Sequence, residues 1–346
     1  MTPHAQQEAT TRVERTCRLD LDSRTLRGRI AEQVASIVPW DAFCFGTLDP
    51  WTLLLTDDVS AGVPTDSYET VADNEYFEPD VGKFAELARS AVPISVLSLA
   101  TGGDPATSHR FRTVLPTVPA QDELRAAFVT AGRCWGAISL FRSESTFTAS
   151  EAGFLADLSE PIAKALRRAA LRPQAGVGVR TAQVGPGVLL LDRTGRLVGS
   201  NSAGQHWLDE LSPSRSAMHH VVSAARSGRE ARTRLRSRAG QWLSLWGSPL
   251  NGSFEGSLEG LDGPGVSLVI EPAPTSDIVQ MLVAAHGLSL REEDVVQRVI
   301  AGAPSTEIAR DLGLSRYTVQ DHLKAVFDKV GVRTRGQLVS RILGQD

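Results

Sequence analysis

Residues 288–343 restrict the fold more than any other stretch, because their punctuation describes four short helices with a tight turn between the second and third. Ser289 followed three residues later by Glu292 is a capping box, in which hydroxyl and carboxylate each take an orphan amide of the first turn. Val295, Val296, Val299 and Ile300 then form one apolar stripe, and Gly302 followed by Pro304 ends the segment. Ser305 stands where it can cap a second helix that buries Ile308, Ala309 and Leu312. Gly313 supplies the left-handed backbone of a tight inter-helix turn, and Ser315 caps the third helix. There Val319, Leu323, Val326, Phe327 and Val330 recur at spacings of three and four and must pack inward, which leaves Arg316, Tyr317, Gln320, Asp321, Lys324 and Asp328 facing out. Between Arg310 and Arg341 seven cations stand against three anions, in a chain whose formal net charge is −4. Positive charge is therefore concentrated where a phosphate backbone would lie.

This segment resembles the C-terminal domain of the LuxR family of bacterial transcription regulators. The match runs through Leu288-Ser289-x-Arg291-Glu292, Glu307-Ile308-Ala309, Leu314-Ser315, Thr318-Val319, His322-Leu323, Lys329-Val330-Gly331-Val332 and Leu338-Val339. The resemblance implies a third helix lying in the major groove of double-stranded DNA, with Gln320, Asp321 and Lys324 at the positions that reach base edges. Gln pairs with adenine, Asp accepts from the cytosine amine, and Lys favours guanine. It further implies that Thr306, Ser315, Thr318, His322, Arg333 and Arg335 hold phosphates, joined by Arg316 from the outward face. Leu338, Val339 and Ile342 on the last helix would form a homodimer contact, so two-fold-related half-sites are expected. The chain departs from the family in carrying Gln320 where a Lys is usual and Ser305-Thr306 where Asn-Lys is usual, which lowers nonspecific affinity and changes base preference. A helical packing module, or region four of a sigma factor, would show a similar pattern, although nothing upstream looks like the other sigma regions.

At 346 residues, and roughly 150 per domain, the chain has room for two or three domains. Hydrophobic residues at 42% are enough to build a core in each. Apolar runs stay well below the ~20 residues needed to span a bilayer, and the opening MTPHAQQEATTRVERT lacks the apolar centre of a signal peptide, so a cytoplasmic protein without membrane contact is expected. Residues 1–20 read as a disordered N-terminus. Cys17, Cys44 and Cys134 are an odd, widely spaced set without a metal or redox motif and read as reduced.

Residues 21–171 read as helix, strands and helix. Leu26, Ile30, Val34, Ile37 and Val38 mark an opening helix stopped by Pro39; Ala42–Leu48 and Trp51–Thr56 are β-type runs around Asp49-Pro50. Arg125–Thr130 leads through Gly132 into Cys134–Arg142, and Thr148 starts a long helix facing inward with Phe154, Leu155, Leu158, Ile162, Ala165 and Leu166. The strand WGAISLFR followed by FTASEAGFLADLSEPIAKALRRAA, with PWDAF near the start, resembles a GAF domain. That implies a six-stranded α/β sensory fold in which residues 59–117 supply the lid of a small-ligand pocket, or else a dimerisation scaffold. Residues 172–187 suit a linker. In 188–273, Val188–Leu191, the turn Asp192-Arg193-Thr194-Gly195, Leu197–Gly199 and a helix capped by Asn201 resemble the opening of a PAS domain, with Gln241–Leu250 and Val266–Glu271 as later strands and residues 251–265 as a flexible hairpin loop. The fold class is thus multidomain: α/β (α+β) GAF-like and PAS-like sensor domains, then an all-α four-helix helix-turn-helix domain over 274–346.

Other features invite chemistry. His206, His219 and His220 lack ligand spacing for a metal and read as surface or capping residues. Arg232, Arg234, Arg236 and Arg238 alternate along one strand and read as a solvated sheet face rather than an anion site. Trp207, Trp242 and Trp246 read as core aromatics before cavity linings. No phosphate loop, nucleophile elbow, zinc-protease motif or receiver-domain signature is present, so no catalysis, cofactor or phosphotransfer is expected. The expected function is a sequence-specific, dimeric, ligand-modulated transcription regulator, with RNA polymerase a further candidate partner. Two alternatives stay open: a thiol-dependent enzyme using Cys44 and Cys134, and a protein-interaction adaptor.

Overall fold

The computed structural model describes residues 3–172, 184–192, 195–211, 215–229, 231–250 and 265–343. The fold divides into two compact units, the first reaching Leu166 and resuming to Pro272, the second holding Arg167–Arg172 and the residues from Ala273. Of the expected linker, residues 173–183 lie outside the described residues, as do Arg193, Thr194 and positions 251–264 of the expected loop.

The first unit opens with α1 (Pro3–Arg18), where disorder was expected. Ala9, Val13 and Cys17, four residues apart, are buried as α1 packs on α2 (Ser23–Val34). A stripe of small residues in a polar sequence carries too little hydrophobicity to be read as a helix unless its partner surface is known. Asp22 caps α2 by accepting from the amides of Arg24 and Thr25.

Strands β1 (Ala42–Leu48), β2 (Leu55–Ala61), β3 (Ile94–Val96), β4 (Asp122–Thr130) and β5 (Arg133–Arg142) form an antiparallel sheet in the order β2-β1-β5-β4-β3. Among the described residues it has five strands, not the expected six. The second begins at Leu55 rather than Trp51, because the Asp49 carboxylate accepts from the amides of Trp51 and Thr52 at 3.0 and 3.4 Å and holds those residues in a turn. Between β2 and β4 lie α3 (Tyr68–Tyr76), α4 (Phe84–Leu87), α5 (Leu97–Ala100) and α6 (His109–Thr113). The helix expected from Thr148 is two helices, α7 (Ala149–Asp157) and α8 (Ser159–Ala170). Pro161, which has no amide hydrogen to donate, sits in the first turn of α8, where none is needed.

The second sheet contains β6 (Gly187–Leu191), β7 (Leu197–Ser200), β8 (Ala231–Arg236), β9 (Trp242–Pro249) and β10 (Val266–Pro272) in the order β7-β6-β10-β9-β8. Counted from its own first strand this is the order of the first sheet, so the two sensor-like domains share one topology. Its helices are α9 (Ser202–Glu210), capped by Asn201, and α10 (Arg215–Arg226). Trp207 is fully buried beneath this sheet, whereas Trp246 is partly exposed under the Arg232 guanidinium. The arginine stripe is not a solvated face. Arg234 is buried, ion-paired to Asp49 at 3.3 Å and stacked on Trp51, and Arg236 covers Trp242. The first domain thus supplies a carboxylate and a ring to a strand of the second, and Leu54 enters the second domain's core.

In the second unit α11 (Thr275–Ala285), α12 (Leu290–Ile300), α13 (Ser305–Leu312), α14 (Arg316–Val330) and α15 (Arg335–Leu343) surround one core. There are five helices here rather than the expected four among the described residues: α11 contributes Val279 and Val283 to that core. No helix among the described residues is long and apolar enough to cross a membrane.

Candidate nucleic-acid interface

The helix-turn-helix is assembled by local chemistry. Ser289 Oγ accepts from the Glu292 amide at 3.3 Å and the Glu292 carboxylate accepts from the Ser289 amide at 2.6 Å, closing the expected capping box. Burial opposes ionisation of Glu292, but the Lys329 ammonium at 2.6 Å and the Ser289 amide hold its carboxyl below the usual range. That ion pair fastens the end of α14 to the start of α12 and commits the Lys329 charge to the domain itself. Gly313, at φ +64°, ends α13, and the Leu314 amide returns to Ala309 O at 2.8 Å to complete the turn. Ser315 caps α14, accepting from the Thr318 amide at 3.0 Å. Ser305 does not cap α13; Pro304 occupies that position without a side-chain acceptor, and Ser305 sits one residue inside the helix. Its hydroxyl instead lies 3.4 Å from Gln320 Nε2, linking the first helix of the motif to the outward face of the second.

Val319, Leu323, Val326 and Val330 are buried, which fixes the opposite side of α14 outward. Gln320, Asp321 and Lys324 are all exposed on that side, within two helical turns. Tyr317 precedes them by three, four and seven residues on the same stripe and is 86% exposed, the most exposed of the large hydrophobic residues. Periodicity placed it on this face, and the contact positions that the resemblance implies did not include it. Of the predicted phosphate contacts, Thr306, Ser315, Arg316 and Arg333 are exposed, and Thr318 and His322 are half-buried. The Ser315 and Thr318 hydroxyls lie 2.8 Å apart at the start of α14, where the helix dipole also favours an anion. Arg335 is only partly free, since its guanidinium donates to Ala303 O at 3.2 Å and ties α15 to the turn before α13.

The dimer residues need correction. Leu338 and Ile342 are fully buried in the domain's own core with Val279, Val296 and Val330, so neither side chain is available to a second copy. Val339 is half-buried and alone of the three keeps exposed surface.

Residues 286–342 match the family model for bacterial regulatory proteins of the luxR family. This domain is a LuxR-family helix-turn-helix. The chain is 38% identical over 56 residues to the transcriptional regulatory protein TdiR of Thauera aromatica, an alignment covering 16% of this chain and 25% of that one. It is 42% identical over 53 residues to the CsgBAC operon transcriptional regulatory protein of Escherichia coli strain K12, covering 15% and 24% respectively. The alignments thus span about a quarter of the length of these curated relatives. The GAF domain of an Acinetobacter phosphoenolpyruvate-protein phosphotransferase aligns with 49% of this chain and 96% of its own, at 15% identity and a TM-score of 0.35.

The LuxR-family reader is joined to a first domain whose thiols are chemically quiet. Burial pushes the Cys44 thiol far above its ordinary value and the Cys134 thiol up to about 11, so neither supplies a thiolate near neutrality. The histidines are not surface or capping residues throughout: His220 is buried, its Nδ1 3.1 Å from the Tyr76 hydroxyl of the first domain.

Proposed function

We propose that the protein is a cytoplasmic, sequence-specific DNA-binding transcription regulator that acts as a dimer and is modulated by a small ligand held in its first domain. The observation that carries the reading is the exposed stripe of Tyr317, Gln320, Asp321 and Lys324 on α14, inside a segment that matches the luxR family model. On this reading Gln320, Asp321 and Lys324 reach base edges. Arg316, Arg333 and the Ser315–Thr318 hydroxyl pair fix the register on phosphates, together with Thr306 and His322. Arg335 contributes through the turn it braces. Self-association uses the outward side of α15 around Val339, and two copies read two half-sites.

The test is selection of genomic DNA fragments by the full-length protein, repeated with Gln320→Ala and Lys324→Ala. A two-fold-symmetric motif is expected, with each substitution degrading preference at defined bases by about 1–3 kcal/mol. Binding should weaken steeply between low and moderate salt. Recovery of no motif together with salt-insensitive binding of a protein partner would favour the adaptor reading instead.

A further inference from the structure

The first domain encloses a cavity of about 50 Å³ between its sheet and α3. Part of its lining is apolar, contributed by Leu48, Leu53, Leu55, Val71 and Phe141. Another part is charged but internally neutral. Arg110 Nη2 donates to Glu123 at 2.8 Å, and Arg125 Nη2 donates to Glu75 at 2.7 Å, so two buried cations meet two buried anions. Burial works against ionisation of Glu75, and Arg125 with Arg110 overcomes it, holding that carboxyl below its usual range. A charged guest would have to displace a partner from one of these pairs and leave the other charge buried alone, which is strongly unfavourable. An uncharged guest would not. Arg125 is buried and stacked on the Phe84 ring, and its Nε faces Glu123 at 3.7 Å, an ion-pair distance too long for a hydrogen bond, so this buried N–H makes none.

The remaining side of the cavity is not closed by the first domain. His220, on α10 of the second domain, lines it, and its hydrogen bond with Tyr76 spans the seam. The same face of α10 carries three more contacts to the first domain, at intervals of three and four residues. Ser216 donates to Asp58, Ser223 donates to Asp73, and Arg226 pairs with Asp73 at 3.3 Å. Asp58 in turn accepts from Tyr68, another cavity residue, at 3.3 Å. The helix α3 lines the cavity through Tyr68, Val71, Glu75 and Tyr76, and it also carries Asp73, so a shift of α3 is felt at the contacts to α10.

Resting on the reading of the chain as a ligand-modulated regulator, we propose that this cavity binds a small, uncharged, mainly apolar molecule bearing one hydrogen-bond acceptor. We further propose that entry of a guest too large for the present volume is transmitted to the second domain by breaking the Tyr76–His220 bond and loosening α10 from α3. Apolar groups of the guest meet the leucine side chains of the lining, its acceptor completes the hydrogen bonding of Arg125 Nε, and the second domain reports occupancy because it supplies the closing side chain.

The test uses the full-length protein and defined probes: phenol and 1-butanol as uncharged guests, butyrate and butylammonium as charged controls. The readouts are the His220 ring resonance and amide hydrogen exchange along 216–226. Phenol or 1-butanol should shift the His220 resonance saturably and speed exchange in α10 at least tenfold, and the charged probes should do neither. Tyr76→Phe, which removes the bond and keeps the volume, should still bind the uncharged probes, with α10 already exchanging fast and no longer responding. Ala137→Leu, which fills the cavity from β5, should abolish the response. Binding of an uncharged probe with α10 unchanged would overturn the transmission. Saturable binding of the charged probes alone, or no binding of either uncharged probe, would overturn the site. DNA selection is read separately, so failure here leaves the regulator reading standing and locates its control elsewhere.

Discussion

Leu338→Ala separates a core role from an interface role for the last helix. Leu338 is 0% exposed and packs in the cluster formed by α11, α12, α13, α14 and α15. Truncating a fully enclosed leucine removes its transfer energy and leaves a cavity that rigid helices fill only in part, for a cost of about 2–5 kcal/mol. In a domain of this size each kcal/mol lowers the melting temperature by roughly 4–8 °C, so a fall on the order of 10–30 °C is expected. The assay is calorimetry of a fragment beginning at Ala273, at two protein concentrations a hundredfold apart, beside sedimentation to measure self-association. The melting temperature should fall by a similar amount at both concentrations, because the lost contacts lie within one chain. Val339→Ala, at a half-buried position, should stay within about 1 kcal/mol of the parent in stability and weaken self-association instead. A melting temperature for Leu338→Ala within about 3 °C of the parent, with weaker self-association, would refute the core assignment.

Three further outcomes follow from the same structure. Tyr317→Ala should weaken DNA binding without altering stability, because the side chain is 86% exposed, and Tyr317→Phe should recover part of the loss if the ring makes the contact; filter binding at fixed salt distinguishes the two. Burial, against the opposing pull of Glu75, holds the His220 ring at a pKa of about 4, beside His219, Arg125 and Arg110 and bonded to the neutral Tyr76 hydroxyl. A base with its folded pKa depressed contributes stability that is full above its ordinary value near 6.5 and lost as pH falls toward 4, by about 1.4 kcal/mol per pH unit and about 3 kcal/mol in all. Urea midpoints of the first unit should fall across that window in the parent and less in His220→Gln. Replacing Cys44 and Cys134 together with Ser should leave DNA binding within twofold, since both thiols are held protonated; a tenfold loss on a protein that still melts normally would revive a redox role.

The sequence showed most clearly whatever short-range chemistry determines. The Ser289–Glu292 capping box, the left-handed Gly313, the Asn201 cap and the helix start at Thr148 all act within five residues, and each is found where its spacing requires. The outward stripe of α14 was equally legible, because a helix that buries Val319, Leu323 and Val326 has only one side left. Features decided by distant partners were not legible. Periodicity marks Leu338 as apolar but cannot say whether it faces its own core or a second copy. Charge counting credited Lys329 and Arg335 to DNA, whereas one is paired to Glu292 and the other braces Ala303, more than thirty residues away in each case. The three-residue strand β3 and the small-residue face of α1 exist because of the surfaces that receive them. His220 and Arg234, read as surface groups, are buried by a neighbouring domain whose docking no local pattern announces.

The size of the cavity limits how it can act. Moving a two-state equilibrium from 1:99 to 99:1 requires a guest that prefers one state by about 10⁴, or about 5.5 kcal/mol. About 50 Å³ is roughly a third of an engineered cavity that holds benzene, so a guest confined to it has roughly two to four heavy atoms. Even at the ceiling of about 1.5 kcal/mol per heavy atom such a guest gains about 3–6 kcal/mol in total. Only the difference between its affinities for the closed and open arrangements can do the shifting. A molecule that fits the closed cavity binds that arrangement well and so stabilises the seam. A molecule too large for it binds the open arrangement alone, and its whole affinity then counts toward opening. The same site therefore yields opposite outputs on the two sides of a size threshold: very small guests hold α10 against α3, and larger ones release it. Hydrogen exchange along α10 across a series from methanol to 1-hexanol should slow for the shortest members and reverse sign within the series. A response of one sign throughout would show that the closed cavity excludes guests altogether.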